Sequence, residues 1–353
     1  MNETRGKNRP VLLIQAENIP EAFELAMKSV WKNGISIPTE YDKPGDPPSK
    51  DARVEIQIKN PFAQPRFHRA FADGLGGMAE YVQEVVNGAH DYWVRDFNSI
   101  AEEIRTGKKV DTKWIYTYHQ RLFAYPFRDR NGVIQTMDQI ELMAQRLAKD
   151  PNTRRAEAIT WVPWIDAHLN DPPCLQRVWA RIFEDSQGRL FLNMDTDWRS
   201  RDLYKAWFEN AIAMTTLQAR LAKRISELRT QNGLKREVGG YKEAAIVRPG
   251  AYTDCSNSLH IYGSYFREIE GNSNRGVKNF FEQLDTRPFS SDDSGNASSR
   301  TYTSEQVREF FEDDGCGKGL ASMTKREEGK MPAEILNEVR EDLSALKDGS
   351  YVP

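Results

Sequence analysis

Two alternating apolar runs, Gln176 to Phe183 and Leu190 to Thr196, face each other across the short polar connection Glu184-Asp185-Ser186-Gln187-Gly188-Arg189. Period-two alternation on both sides of a glycine-containing turn commits this stretch to an antiparallel hairpin with one apolar face. Such a face must be covered, and the chain carries the cover: apolar residues recur at helical spacing over Ala211 to Leu228, Thr136 to Leu147 and Met78 to Val86, and Pro20 to Trp31 is helix-like. Two more strands are expected. In Arg53 to Lys59, Val54, Ile56 and Ile58 alternate with polar residues, and Ala156 to Val162 is also strand-like. Helices mixed with hairpin-linked strands predict an α+β fold.

With 353 residues, the chain has room for one large domain or two small ones. A hydrophobic fraction of 39%, with 8 Trp, 13 Tyr and 16 Phe, excludes wholesale disorder. The 49 basic and 52 acidic residues leave a formal charge of −3, so no global field draws the chain onto nucleic acid or anionic lipid, and any anion site is local. The longest early apolar run, Val11 to Ile14, is far short of the roughly 20 residues of a membrane span, and no secretory leader follows Met1 to Arg5. Cys174, Cys255 and Cys316 form no CxxC pair, and His68, His90, His119 and His168 lack metal-ligand spacing. The reading is a cytoplasmic protein with no metal, no nucleic-acid partner and no membrane partner. A Pro/Gly run from Asp42 to Ser49 sets off an N-terminal helical segment, 1–50. From Asn272 the composition changes, with a polar loop from Ser290 to Ser299 and short charged helices expected at Thr303 to Phe311 and Pro332 to Leu346. The division is therefore 1–50, a central 51–271, and a C-terminal extension, 272–353.

Asp171-Pro172-Pro173-Cys174 places a thiol after a rigid turn at the mouth of a strand, where it serves either as a nucleophile or as a small core residue. Positive charge clusters at Arg154-Arg155 and at Arg199-Ser200-Arg201-Asp202. Guanidinium forks beside a serine hydroxyl suit a phosphate monoester, although each run alone also fits a solvated surface. Asn210 lies eight residues beyond Asp202, where its amide either reads the edge of a base or caps a helix. In Asn257 to Tyr262 the alternation puts His260 and Tyr262 on one strand face, able to bond a sugar hydroxyl.

Double Arg, then Pro-Cys, then Arg-Ser-x-Asp with Asn eight residues on, then His-x-Tyr: in this order, from about Trp114 to Tyr262, the chain resembles the thymidylate synthase superfamily. Tyr116-Thr117-Tyr118 with Arg121-Leu122, and Arg199 to Asp202, look like its archaeal-type branch. The resemblance implies a mixed sheet backed by helices and a homodimer packed sheet to sheet. It makes Cys174 the nucleophile that adds to C6 of a pyrimidine nucleoside 5′-monophosphate, with Arg199 and Ser200 on the phosphate and Arg154 and Arg155 reaching the partner subunit's phosphate in trans. Asn210 would read the base, and His260 and Tyr262 would bind the sugar. Asp202 would orient the pterin of 5,10-methylenetetrahydrofolate, with Tyr118 near the nucleophile. Transfer of one carbon to C5 then ends in one of two ways: hydride transfer gives methyl and dihydrofolate, and capture of water gives hydroxymethyl.

Several positions depart from the family pattern. Trp198 replaces a glutamine before Arg-Ser, Leu175 a histidine after the cysteine, and Ser258 an aspartate two residues before His260. The tryptophan-rich segment that shields the reacting carbon is not recognisable. The catalytic glutamate is matched best by Glu80 ahead of Gly88, one residue out of register and with Glu84 competing. The flexible phosphate-binding arginine is matched by Arg66. The expectation is a 5-hydroxymethylase acting on dUMP, with dCMP or CMP open; the alternatives are thymidylate synthase and an inactive nucleotide-binding homologue.

Overall fold

A computed structural model describes residues 8–108, 112–233, 235–238, 241–244, 246–271, 279–286 and 299–312. The expected helix at Pro332 to Leu346 and the loop at 290–298 lie outside them. The strands are β1 (Val11–Ala16), β2 (Ile35–Ile37), β3 (Ser49–Ile58), β4 (Tyr125–Arg128), β5 (Ile134–Met137), β6 (Glu157–Ile159), β7 (Leu175–Glu184), β8 (Leu190–Trp198), β9 (Arg201–Asp202), β10 (Lys235–Val238), β11 (Tyr241–Ala244) and β12 (Val247–Ile261). The helices are α1 (Ile19–Asn33), α2 (Gly74–Asn87), α3 (Phe97–Thr106), α4 (Tyr118–Phe123), α5 (Gln139–Lys149), α6 (Pro163–Asp166), α7 (Trp207–Gln231), α8 (Phe266–Glu270), α9 (Phe280–Thr286) and α10 (Ser304–Glu312).

One sheet organises the molecule, in the order β1-β3-β12-β8-β7-β6, with β2 beside β3 and β9 beside β12. It is mixed: β12 runs antiparallel to β3 and parallel to β8, and β8 forms the expected antiparallel hairpin with β7. Val178, Ala180 and Ile182 of β7 and Leu192, Met194 and Trp198 of β8 are buried in the core with α1, α2, α5 and α7. The alternate residues, among them Trp179, Arg181, Phe183, Asp195, Asp197, Cys255 and Glu55, are half-buried or exposed on the opposite face.

Helix α1 starts where Asn18 caps the Glu21 N–H at 3.0 Å, and it buries Ala22, Phe23, Ala26, Met27 and Val30 along one stripe. Helix α7 begins earlier than its apolar spacing suggests, because Trp207, Phe208, Glu209 and Asn210 are themselves buried. Nearly every residue from Trp207 to Ala222 is buried, as expected of a helix at the centre of a large core. No helix among the described residues is long and apolar enough to cross a membrane.

The core continues on both sides of residues 51–271. Strand β1 pairs in parallel with β3, while Phe280, Leu284 and Val307 of α9 and α10 join the same buried cluster. The chain at 299–303 is tied to the segment before α2: Tyr302 N–H donates to the Phe67 carbonyl at 2.9 Å, and Arg69 N–H to that of Arg300 at 2.8 Å. Phe280 meets the rings of Phe23 at 6.0 Å and Tyr204 at 6.1 Å. Phe280→Ala is therefore expected to lower unfolding stability by about 3–4 kcal/mol in urea denaturation, the cost of a core cavity rather than of an exposed appendage.

Candidate active site

Register places the chemistry at one end of the sheet. Leu175 pairs with Trp198, so Cys174 and Arg199 are adjacent, and the Arg199 N–H donates to the Cys174 carbonyl at 2.9 Å. Leu259 and His260 pair with Arg201 and Asp202, which brings the end of β12 to the same place. The loop before β3 closes over it: a Cβ added to Gly263 would collide with the Pro47 carbonyl, and the Tyr41 and Tyr262 rings meet at 6.1 Å.

Cys174 is half-buried beside the core. Burial pushes its thiol pKa up; the Arg199 and Arg201 guanidiniums oppose this and Asp171 reinforces it. Tyr118 stands beside Cys174, its hydroxyl accepting the Leu175 N–H at 3.4 Å and its ring edge-on to Trp198 at 5.7 Å. It is carried there by α4, whose N-cap Thr117 accepts the Gln120 N–H at 3.0 Å and whose Arg121 is wholly buried against Asp166 at 2.8 Å. Burial keeps the Tyr116, Tyr118 and Tyr262 hydroxyls protonated far above their ordinary range, and the Cys174 thiolate acts on all three in the same direction.

Arg199 is partly exposed. Its Nε donates to the Pro173 carbonyl at 3.1 Å and Nη2 to that of Pro172, with Asp171 at 3.4 Å. Ser200 follows it, half-buried. Asp202 accepts the Tyr204 and Lys205 N–H groups at 2.9 and 3.0 Å, and burial raises its pKa. His260 is 6% exposed; burial lowers its pKa, the Asp202 carboxylate opposes that shift, and Nε2 is buried with no hydrogen-bond partner. Its ring meets that of Tyr262 edge-on at 4.5 Å.

Asn210 does not cap α7; its Nδ2 donates to the Tyr81 hydroxyl at 2.7 Å. Glu80, the neighbour of Tyr81 on α2, turns about 100° away along the helix. Its carboxylate lies 3.7 Å from His90 Nε2, and that of Glu84 lies 2.9 Å from His90 Nδ1. Helix α2 does end at Gly88, in the left-handed conformation at φ 64°, where a Cβ would strike His119. Arg66 is buried, with Nη2 3.0 Å from Thr215 Oγ1 and its guanidinium 4.6 Å over Phe62. Arg154 and Arg155 are exposed beside an open groove of about 520 Å³. The Arg154 carbonyl accepts the Trp179 Nε1–H, four residues along β7 from Leu175, or ~13 Å of strand away from the thiol's end.

The sequence reading passed over Tyr41, Tyr81 and Glu209. Glu209 is 7% exposed with Oε1 unbonded, and burial together with the nearby Asp73 carboxylate pushes its pKa up to about 8. A charged residue between the aromatic pair Trp207-Phe208 and the apolar run that starts at Ala211 was the available signal. Among the described residues, no group of three or more His, Cys, Asp or Glu side chains is placed to hold a metal ion.

No protein-family model matches the chain. A protein of Methanosarcina mazei named "Putative thymidylate synthase" is 26% identical over 259 residues, covering 73% of this chain and 93% of that protein. A protein of the same name from Methanocaldococcus jannaschii is 27% identical over 258 residues, 71% of this chain and 91% of that one. A third, from Methanothermobacter marburgensis, is 34% identical over 157 residues, 44% of this chain and 55% of the relative. These similarities support a thymidylate synthase-like superfamily assignment. Glu209 gives a stability signature that needs no substrate. Its carboxyl ionises near 4.5 when unfolded but holds its proton to about pH 8 when folded, so stability falls as pH rises between those values. Glu209→Gln, which mimics the protonated acid, is expected to match the wild type near pH 4.5 and to exceed it by roughly 3 kcal/mol at pH 8, read by urea denaturation at the two pH values.

Proposed function

We propose that this protein transfers a one-carbon unit from methylenetetrahydrofolate to C5 of a pyrimidine nucleoside 5′-monophosphate, and that it is a dUMP 5-hydroxymethylase. The observation that carries the reading is the convergence of Cys174, Tyr118, Arg199, Asp202, His260 and Tyr262 at one sheet end. In this reading Cys174 Sγ bonds to C6 and the displaced electron pair moves onto the C4 carbonyl, making C5 nucleophilic. Arg199, freed from the Pro172 and Pro173 carbonyls, binds the 5′-phosphate with Ser200. Asn210, steadied by Tyr81, offers the base an amide able to accept from N3–H and donate to O4. His260 and Tyr262 bond the sugar.

The folate side fits as well: Asp202 supplies a half-buried carboxyl, and Tyr265 a ring 5.6 Å from that of Tyr262. Methylenetetrahydrofolate, when bound there, supplies the carbon. Once C5 has taken that carbon and lost its proton and tetrahydrofolate has left as the leaving group, water adds to the exocyclic methylene, a proton leaves that water, and Cys174 departs from C6. Water capture is favoured because Trp198 is turned inward, 1% exposed against Tyr118, while neutral tyrosine hydroxyls line the nucleophile's surroundings and can hold a water. The second reading, thymidylate synthase making dTMP and dihydrofolate, is favoured by the printed names of the archaeal relatives.

A homodimer packed sheet to sheet would cover the half-buried and exposed sheet face that carries Trp179, Phe183 and Cys255, and would let the exposed Arg154 and Arg155 serve the partner's phosphate. Incubation with methylenetetrahydrofolate and dUMP, dCMP, UMP or CMP in turn, followed by mass spectrometry, is expected to give hydroxymethyl-dUMP without dihydrofolate. A methylated product with stoichiometric dihydrofolate establishes the second reading, and no product from any nucleotide contradicts both. Cys174→Ala should abolish turnover while leaving nucleotide affinity within a few-fold. Mixed dimers of Cys174→Ala and Arg154→Ala chains should regain up to about a quarter to a half of wild-type activity, since one intact site per heterodimer is rebuilt.

A further inference from the structure

Arg199 and Arg201 flank one serine at the break between β8, which ends at Trp198, and β9, which starts at Arg201, and the two side chains meet different surroundings. Arg199 stays partly exposed. Arg201 is 3% exposed and enters the core, where it is ion-paired with the fully buried Asp254 and its Nη2 donates to Ser256 Oγ at 2.9 Å. Asp254 also accepts the Trp207 Nε1–H at 2.9 Å. The guanidinium plane lies 4.3 Å over Trp198 and 5.9 Å from Trp207. Trp198 is fixed further by its Nε1–H, which donates to Thr196 Oγ1 at 3.0 Å, and it meets Tyr118 edge-on.

A contiguous chain of contacts thus runs from the buried Asp254, Arg201 and Trp198 through the half-buried Tyr118 to the Leu175 N–H beside the thiol. A fully desolvated ion pair is a weak source of stability, and hydrophobic replacements of similar volume are often neutral. We propose that Arg201 is a positioning residue for the nucleophile: anchored by Asp254, it holds Trp198 and through it Tyr118 against Cys174, and it supplies the fixed cation behind the thiol while Arg199 is left for the substrate phosphate. This rests on Cys174 being the nucleophile of the proposed reaction. The charged or titratable groups facing that thiol are Arg199, Arg201 and Asp171 from the flanking chain, Tyr116 and Tyr118 from the α4 region, and Tyr262 from the end of β12.

The test is the pH profile of Cys174 alkylation by iodoacetamide in the full chain, read on the Cys174 peptide by mass spectrometry. The double variant R201M/D254L removes both charges and keeps the volume. It is expected to fold and to alkylate at pH 8 about tenfold more slowly, with its midpoint about one pH unit higher. A folded double variant with the wild-type profile overturns the proposal. R201K keeps the charge without the plane that covers Trp198, and its profile is expected between the two; identity with wild type overturns the role of the stack. Neither measurement uses nucleotide or folate, so a shifted profile in a protein that processes no pyrimidine upholds the positioning and defeats the proposed reaction, while an unchanged profile in an active enzyme does the reverse.

Discussion

Strand β12 bonds antiparallel to β3 along one edge and parallel to β8 and β9 along the other, and the site depends on that double pairing. It fixes His260 opposite Asp202 while the β7–β8 hairpin fixes Leu175 opposite Trp198. Cys174, Arg199 and Tyr262, distant in sequence, then fall at one sheet end, the first two joined by the Arg199 N–H to the Cys174 carbonyl at 2.9 Å. A slip of one residue in either pairing would turn every side chain of the slipped strand to the other face, so the alternation that buries Leu192, Met194 and Trp198 also guards the chemistry.

The electrostatics follow from where that end lies. Cys174, Asp202 and His260 are each shifted toward their neutral forms by burial, and each is opposed by a neighbour: guanidiniums for the thiol, His260 for Asp202, and Asp202 for His260. In a pocket poised in this way, hydrogen bonds or opposite charge brought to one of these groups would shift it toward its ionised form. Asp254 and Arg201 differ, being paired within the protein and independent of any ligand.

Much of the fold was legible locally. The hairpin, α1, α5 and α7 follow from apolar period and caps, and the order of Cys174, Arg199, Asp202, Asn210 and His260 is a linear pattern that survives without coordinates. Strand β12 was visible only at its far end, because Pro249-Gly250-Ala251 interrupts its alternation where the register with β8 shifts. Val11 to Ile14 is too short a run to announce an edge strand. On α2 a single residue decides which side chain faces Asn210, and sequence spacing cannot resolve 100° of helix when both Glu80 and Tyr81 are candidates. Arg66 and Trp198 turn inward because Thr215 in one case, and Arg201 with Tyr118 in the other, meet them from elsewhere in the chain. Those contacts are long-range, and no local pattern encodes them.

The central claim is that Cys174 adds to C6 of a pyrimidine whose C5 then accepts a folate-borne carbon and must lose a proton. Replacing that C5 hydrogen with fluorine blocks the loss and should arrest the reaction with sulfur still bonded to C6. Intact-mass spectrometry of the full chain after incubation with 5-fluoro-dUMP and methylenetetrahydrofolate is the most direct measurement. The account predicts a single adduct per chain equal to the sum of both ligands, located on the Cys174 peptide and absent from Cys174→Ala. An unmodified mass under conditions where the nucleotide binds, or an adduct on any other residue, would contradict it.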